Sequence, residues 1–408
     1  MRRSVLWTAL AVVSMGTITA SCHAQQPSPP EGGGTPGAVA PAPVSVAPQA
    51  GAAWTPPLLA SLRHWADMAP AYGLPSPDCG ALNAALAGGD GAAVDRAADA
   101  LALQLARMHA LGATPARNRA AWHVVDGDAG IDFASGLRAG MAAGSLDGWY
   151  ESLQPTHPDF AALRTALAGE TDTARRATLV RNLERWRWMP HDLGADYVLV
   201  NAAAFTVSVE RGGTPVGDWR VIVGKPSSPT PSFAAMVTGV TINPWWDIPA
   251  NIVAESVGSM VRRHPALARA RGYVWGGGRY RQRPGPGNAL GAMKLAMANG
   301  FNVYLHDTPT KALFERDVRA FSHGCVRVDK ALDFAAALLS PAQDRAAIDA
   351  AVAAGRTVTL PLPQRMPVYI AYFTATRGAD GRIMILPDIY GRDAPLGDAV
   401  VEQKRCAA

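Results

Sequence analysis

The stretch VYLHDTPTKALFERDVRAFSHGCVRV, residues 303–328, brings one cysteine into close company with two histidines and an arginine. Cys325 has His323 two places before it and Arg327 two places after it, and His306 ends the β-rich run VYLH. A thiol in such surroundings is a nucleophile, a metal ligand or half of a disulfide bond. The neighbouring residues favour the first of these roles.

This stretch offers a candidate for each part that a nucleophilic thiol requires. A cysteine nucleophile needs a base, donors for a developing oxyanion and a depressed pKa. His306 at a strand end is the candidate base. Gly324 permits a sharp turn that would point the amides of residues 324 and 325 toward one oxyanion. A helix that begins near Lys330 would favour the thiolate through its positive end.

Two other roles for the cysteine stay open at this level. A zinc site would use His306, His323 and Cys325, but structural zinc sites usually show closely spaced Cys and His pairs, which this stretch lacks. A disulfide bond from Cys325 to another cysteine would abolish its reactivity. We predict neither a metal nor a cofactor.

The amino-terminal segment is typical of an exported protein. Residues 1–24 hold two arginines, an apolar stretch and then small residues, which is the layout of a secretory signal cleaved after Ala24. Cleavage before Cys22 would instead leave a lipid-bearing cysteine, as in bacterial lipoproteins. Residues 25–55 are rich in Pro, Gly and Ala, which predicts an extended linker. No later segment is apolar for long enough to span a bilayer.

Cysteine usage and net charge narrow the alternatives. The chain has four cysteines, and in an oxidising compartment spare cysteines tend to pair. Without Cys22 three remain, and the simplest arrangement keeps Cys325 free while Cys79 pairs with Cys406. The net charge of +5 is too small to favour nucleic acid as a partner.

Two regions of different periodicity follow the linker. Residues 56–181 are predicted to be helical, and the segment 91–112 carries an apolar stripe at helical spacing: Val94, Ala98, Leu101, Leu105 and Met108. Short β-rich runs such as DYVLVN and AFTVSVE begin after Trp186. The sequence therefore predicts the α+β class, with a helical scaffold domain at 56–181, a mainly β domain at 182–400 and a tail at 401–408.

The signature H-D-T, thirteen residues, then S-H-G-C-V-R resembles that of the L,D-transpeptidase catalytic domain of bacterial cell-wall enzymes. The resemblance implies a mixed-sheet sandwich with a short cap insertion at about 248–280. The large periplasmic branch of this family often carries a small peptidoglycan-binding module between the scaffold and the catalytic domain. In this chain the helical segment runs directly into the predicted catalytic domain at residue 182, which leaves no room for such a module. That branch is also resembled by NLERWRWMPHDLGADYVLVNAAAF (182–205), TPSFAAMVTGVTINPWWDIP (230–249), RQRPGPGNALGAMK (281–294), DIYGRD (388–393) and the helical segment.

The resemblance implies roles for single residues in the signature. Cys325 is the expected nucleophile and His306 its base, while amides around Gly324 and Cys325 form the oxyanion hole. Arg327 occupies the position of a substrate-contacting residue. Two more residues, Ser322 and His323, are expected to shape the loop and line the substrate site.

Candidate substrate contacts also lie outside the signature. Arg281 and Arg283 stand in a Gly/Pro-rich loop and would pair with substrate carboxylates. Asn288 is either a further substrate contact or a residue that fixes its loop. Four tryptophans are predicted to pack in the core rather than to stack on sugars: Trp186, Trp188, Trp245 and Trp246.

The function that the resemblance implies is cross-linking of peptidoglycan during cell-wall biogenesis, with a role in cell shape and with carbapenems as inhibitors. The cysteine would form a thioester with a tetrapeptide stem, release D-Ala and pass the acyl group to a diaminopimelate amine, giving a 3→3 cross-link. Alternatives are an L,D-carboxypeptidase or other hydrolase, transfer to a lipoprotein lysine, and a wall-binding protein without activity. The expected partners are peptidoglycan stem peptides and a D,D-carboxypeptidase that supplies them, and the expected location is the periplasm.

Overall fold

The computed structural model describes residues 53–119, 121–124, 130–378 and 380–396. The predicted signal segment 1–24, nearly all of the linker 25–55 and the tail 401–408 lie outside these residues, as do Cys22 and Cys406. Signal cleavage, lipidation and the pairing of Cys79 with Cys406 therefore stay predictions. The described residues belong to one compact unit.

The first half of the described chain is helical. Asp90, Asp132 and Asp172 each precede a helix and accept a hydrogen bond from a backbone N–H of its first turn. The predicted apolar stripe of the segment 91–112 is confirmed, because all of its residues except Val94 are buried. The helices of this half are α1 (Pro56–Met68), α2 (Gly80–Gly88), α3 (Gly91–Leu111), α4 (Phe133–Ala142), α5 (Asp147–Ser152), α6 (Pro158–Gly169) and α7 (Thr173–Arg187).

The second half is rich in strands, so the predicted α+β class is confirmed. Its helices are α8 (Ala250–Ile252), α9 (Gly258–Arg263), α10 (Pro265–Ala270), α11 (Ala331–Leu339) and α12 (Arg345–Ala353), with a π-helical turn at Val253–Val257. Its strands, after a short β1 (Trp122–His123) in the first half, are β2 (Tyr197–Asn201), β3 (Thr206–Arg211), β4 (Thr214–Gly224), β5 (Ser232–Ile242), β6 (Trp246–Asp247), β7 (Tyr273–Gly276), β8 (Arg279–Gln282), β9 (Met293–Ala298), β10 (Leu305–His306), β11 (Ala320–Ser322), β12 (Val326–Val328), β13 (Val358–Ala371), β14 (Ala375–Arg377) and β15 (Ile383–Ile385).

The main sheet is mixed and closes on itself. Its strand order is β1-β5-β13-β2-β3-β4-β12-β10-β9, and β9 pairs back to β5. Because β9 pairs with β5, the two sheets expected for a sandwich are joined to each other at both edges. Each strand from β5 to β9 in this order therefore has a hydrogen-bonded neighbour on both sides. The core enclosed by the sheet and α11 includes Leu305, Val326 and Phe334, each 0% exposed.

The scaffold packs on the sheet through the end of α7. Trp186 stacks between His157 and Phe373, with ring centroids 4.2 Å and 4.4 Å away. Trp186, Trp188 and Trp246 are buried, which confirms their predicted packing role, whereas Trp245 is half-buried.

The segment predicted as a cap folds into short helices and a small sheet. Helices α8, α9 and α10 precede the hairpin β7–β8, and β8 also pairs with β6. Their apolar side chains form a cluster of their own around Trp246 and Val257. Tyr304, which lies just before β10, packs against both this cluster and the main core. The cap is therefore in direct contact with the strand that carries His306.

Among the described residues, no helix combines the length and apolar character that crossing a membrane would require.

Candidate active site

The register of two short parallel strands brings the predicted nucleophile and base together. β10 pairs with β12 so that Leu305 lies opposite Val326 and His306 opposite Arg327. The pairing continues one step earlier, where the Val326 N–H donates to the carbonyl oxygen of Tyr304 at 3.1 Å.

Strand alternation then places four side chains on one face. Because neighbouring residues of a strand point to opposite faces, the burial of Leu305 and Val326 in the core sends Tyr304, His306, Cys325 and Arg327 to the other face. Sequence reasoning assigned roles to all of these except Tyr304. The period of VYLH contained the missing signal, since Tyr304 and His306 are two residues apart.

His306 is held as a neutral imidazole. It is 5% exposed, and its Nδ1 lies 2.5 Å from the carbonyl oxygen of Asp307. A carbonyl oxygen only accepts, so Nδ1 carries the proton and Nε2 keeps its lone pair. Burial, and next the charge of Arg327, lower the pKa of His306 to about 4. Hydrogen bonds to the backbone of Asp307 and Leu290 and the charge of Asp307 act in the opposite sense. The oxygen that orients the His306 ring, which the sequence left unassigned, is thus the backbone carbonyl oxygen of Asp307.

Cys325 carries a free, half-buried thiol. Burial raises its pKa, and this effect outweighs the opposing contributions of a hydrogen bond to Tyr304 and of the charges of Arg327 and Lys294. Whether the helix that begins at Ala331 favours the thiolate stays a prediction. In the resting site the thiol is protonated at neutral pH.

The turn before Cys325 has a backbone that only glycine adopts readily. Gly324 has a φ of +117°. Its N–H donates to Oγ of Ser322 at 3.0 Å, and that hydroxyl donates to the Cys325 carbonyl oxygen at 2.5 Å. The Ser322 side chain thus closes the turn, as expected for a loop-shaping residue. The Gly324 amide is engaged inside the turn, and the oxyanion hole expected from amides around Gly324 and Cys325 stays a prediction.

A buried network supports this turn from behind. The Thr230 hydroxyl donates to the Gly324 carbonyl oxygen at 2.8 Å and accepts from the Gly224 N–H at 2.9 Å. Tyr390 donates to the Gly224 carbonyl oxygen at 2.7 Å, and Arg392 donates to the Thr230 carbonyl oxygen at 2.9 Å. Sequence reasoning gave Thr230, Tyr390 and Arg392 no role, although they lie in the quoted segments 230–249 and 388–393.

The Arg327 guanidinium group is poised toward the same face. Its Nε is buried and makes no hydrogen bond within the described residues. Burial lowers the pKa of Arg327, with the Cys325 sulfur acting in the opposite sense. A guanidinium group with buried, unused donor capacity suits a carboxylate ligand.

Residues of the loop 281–288 are placed differently from one another. Arg281 pairs with Asp247, Nε to Oδ1 at 2.7 Å, and lies 4.6 Å above the Trp245 ring. Arg283 is exposed. Asn288 is 1% exposed, and its amide donates to the carbonyl oxygens of Pro244 and Arg283. These hydrogen bonds agree with the loop-fixing alternative for Asn288, and its role as a substrate contact stays a prediction.

His323 points away from the thiol and toward the cap. Its Nε2 lies 2.7 Å from Oε2 of Glu255, and Lys225 reaches the other oxygen of this carboxylate at 3.4 Å. The nucleophile turn is thereby tied to the π-helical turn of the cap. Within the described part of the chain, no three His, Cys, Asp or Glu side chains are grouped in a way that would hold a metal ion.

The segment that carries this site is similar to a known protein family. Residues 195–370 match the model of the YkuD family, the L,D-transpeptidase catalytic domain. The resemblance inferred from the HDT and SHGCVR signature is thus confirmed. The YkuD match covers the face of Tyr304, His306, Cys325 and Arg327, but not the supporting segment 388–393.

The YkuD match is accompanied by similarities to single proteins. A putative L,D-transpeptidase of Haemophilus influenzae is 30% identical over 244 residues, which cover 55% of this chain and 49% of the relative. The chain thus spans about half the length of this curated relative. Among solved structures, an L,D-transpeptidase from Mycobacterium smegmatis is 14% identical over 43% of this chain and 58% of its own, with a TM-score of 0.26. L,D-transpeptidase 3 from Mycobacterium tuberculosis is 16% identical over 43% and 60%, with a TM-score of 0.24.

Proposed function

We propose that this protein is a peptidoglycan L,D-transpeptidase with Cys325 as its nucleophile. The observation that carries the proposal is the common face of β10 and β12. This face carries the free thiol of Cys325, the neutral imidazole of His306 and the guanidinium group of Arg327. The buried Nε of Arg327 makes no hydrogen bond within the described residues. The YkuD match over residues 195–370 supports the choice of reaction.

The first half-reaction forms a thioester. The Cys325 sulfur attacks the carbonyl carbon of the third, L-centred residue of a tetrapeptide stem, and its proton passes to Nε2 of His306. The tetrahedral intermediate then collapses, the C–N bond breaks, and the departing amine of D-Ala takes the proton from His306. Thioester formation divides one difficult amide exchange into two easier steps.

The second half-reaction returns the thiol to its starting state. The side-chain amine of diaminopimelate on another stem attacks the thioester carbonyl, and its proton passes to His306. The C–S bond breaks and Cys325 recovers that proton. The product is a 3→3 cross-link, and the exchange of one amide for another needs no ATP.

The protonation states at rest favour general-base catalysis. The pKa of His306 is lowered to about 4 and burial raises the pKa of Cys325, so the pair is neutral around pH 7. The imidazole therefore removes the thiol proton as the sulfur attacks, instead of facing a preformed thiolate. A neutral thiol in the resting enzyme is also a poorer target for oxidants.

The oxyanion and the substrate are assigned to different groups on this face. Because the Gly324 N–H is engaged with Ser322, the Cys325 amide is the donor that the turn would offer to the oxyanion. Arg327 would bind a carboxylate of the donor stem through its unused guanidinium donors.

The proposed tetrapeptide donor also implies an earlier enzymatic step and a cellular compartment. A stem that ends after four residues implies a D,D-carboxypeptidase that removes the fifth. Chemistry on peptidoglycan takes place outside the cytoplasm, which agrees with the predicted signal segment 1–24 and a periplasmic location.

The proposal is tested by incubating the protein with disaccharide-tetrapeptide and weighing the products. Cross-linked dimer with loss of one D-Ala, absent with Cys325→Ala, is the expected result. Tripeptide alone would show that water takes the acyl group and that the protein is an L,D-carboxypeptidase. Turnover only when a lysine-ended lipoprotein peptide is added would show that such a lysine is the acceptor. Equal products from both proteins would exclude Cys325 as the nucleophile.

A further inference from the structure

The tip of the cap hairpin carries an exposed aromatic pair. Trp275 is 64% exposed, the highest value among the large apolar side chains that the structure describes. It lies directly opposite Tyr280 in the β7–β8 pairing, with ring centroids 4.8 Å apart at 72°. Gly277 and Gly278 have φ values of +60° and +75°, which suit the tight turn between the strands. An indole that is mostly open to solvent beside a tight turn is not explained by packing in a core.

The exposed pair is the outer end of an aromatic face that reaches the active site. Tyr273 lies two residues before Trp275 and therefore on the same face of the hairpin. Tyr273 and Tyr280 pack in one cluster with Trp246 of β6. Tyr304 packs against the same cluster, and its carbonyl oxygen accepts from the N–H of Val326, the residue that follows Cys325. Trp275 thus contacts Tyr280, and the cluster that contains Tyr280 also contains Tyr304, the residue next to β10 in the active site.

The charge around the tip suits a ligand that carries carboxylates. Arg279 is 62% exposed and stands one residue from Tyr280, while Arg281 and Arg283 follow on the same strand and loop. Asp247 is the carboxylate that faces Arg279 and Arg281. Strand alternation places Arg279 and Arg281 on the face of β8 opposite to Tyr280, so the positive charge lies beside the ring face of the hairpin and exceeds the negative charge there.

We infer that the Trp275–Tyr280 pair binds the sugar rings of the peptidoglycan glycan strand whose stem enters the active site. This inference rests on the proposed function. Sugars stack their C–H faces on open aromatic rings, and the acidic stems along a strand complement the arginines. The residue attacked by Cys325 is the third from the sugar, a span of about 10 Å when extended. The strand then continues beyond that sugar over the rim of the site, where the cap hairpin stands.

The first measurement separates the sugar from the peptide. D-Ala release is followed with two donors, disaccharide-tetrapeptide and the same tetrapeptide without sugar, for the native protein and three variants. Trp275→Ala is expected to lower kcat/KM about tenfold on the sugar-bearing donor, mainly through KM, and to leave the free peptide unaffected. Tenfold corresponds to about 1.4 kcal/mol. Trp275→Phe, which keeps a ring, retains most of the preference. Leu267→Ala, which truncates another exposed apolar side chain of the cap, changes neither donor.

The second experiment measures sugar binding in the absence of turnover. A peptide-free oligomer of β-1,4-linked N-acetylglucosamine is titrated into each protein by calorimetry, and binding is expected to be lost in Trp275→Ala and kept in Leu267→Ala. Near-ultraviolet circular dichroism checks the fold, and if Trp275→Ala fails to fold, Trp275→Phe and Trp275→Lys are compared instead.

The two proposals fail in different ways. If the native protein turns over neither donor but binds the oligomer through Trp275, the proposed function is wrong and the sugar site stands. If Trp275→Ala affects both donors equally or neither, the sugar site is refuted while the reaction stands. Trp275-dependent binding to phosphatidylglycerol vesicles, or Trp275-dependent self-association, with no oligomer binding would assign the tip to a membrane surface or a second copy and would also refute it.

Discussion

The acid limb of the pH–rate profile gives a direct test of the neutral thiol–imidazole pair. Acylation requires neutral His306, so its rate falls as the imidazole becomes protonated at low pH. With a pKa of about 4, roughly 90% of His306 is still neutral near pH 5. With the ordinary pKa of about 6.5, only about 3% would be neutral. The two cases differ about thirtyfold in rate at that pH.

The assay is acylation of Cys325 by a carbapenem, followed by intact mass and by loss of lactam absorbance from about pH 4 to 9. Between pH 7 and 5 the rate is expected to change less than twofold. At the alkaline end the raised pKa of Cys325 extends the plateau above the range of an ordinary thiol. Near-ultraviolet circular dichroism at each pH confirms that the protein stays folded.

A charge variant identifies the physical cause of the low pKa. Arg327 is the largest contribution after burial that lowers the pKa of His306, so Arg327→Gln is expected to move the acid limb toward higher pH. Arg365→Gln, which removes an exposed arginine from β13, is the matched control and leaves the limb in place. An acid limb near pH 6.5 in the native protein would refute the reasoning, because it would mean that burial does not control the imidazole.

Two further predictions concern the supporting structure. Thr230→Val leaves the Gly324 carbonyl oxygen and the Gly224 N–H without their hydrogen-bond partner. We expect the free energy of unfolding, measured by urea titration, to fall by about 1–3 kcal/mol, and carbapenem acylation, measured by intact mass, to become slower. Unchanged acylation would show that the turn keeps its conformation without the Thr230 hydroxyl. His109 is fully buried, and burial lowers its pKa to about 3. Below about pH 6.5 the unfolded state therefore binds a proton at this residue that the folded state does not bind. The free energy of unfolding is expected to fall by about 2 kcal/mol between pH 7.5 and 5 for this reason. Urea titrations at both pH values should show a drop smaller by that amount in His109→Gln, and an equal drop in both proteins would contradict the assignment.

The residues of the reaction were readable from the sequence because their signals are local. The period of VYLH and the spacing of SHGCVR suggest which side chains share a face. The structure places His306 on β10 and Cys325 directly before β12, the strand that pairs with β10 in parallel. The α+β class followed in the same way, since helical and strand periods occupy separate halves of the chain.

Burial and distant contacts decided the rest. The protonation states of Cys325 and His306 depend on how deeply the fold encloses them, and the occupied Gly324 amide depends on a hydroxyl that closes the turn. Thr230 reaches Gly324 from 94 residues away, and Arg392 reaches Thr230 from 162 residues away. The sequence alone thus determined which chemical groups the site contains. Only the tertiary structure decided their charge state and support, because solvation and long-range hydrogen bonds exist only once distant segments pack together.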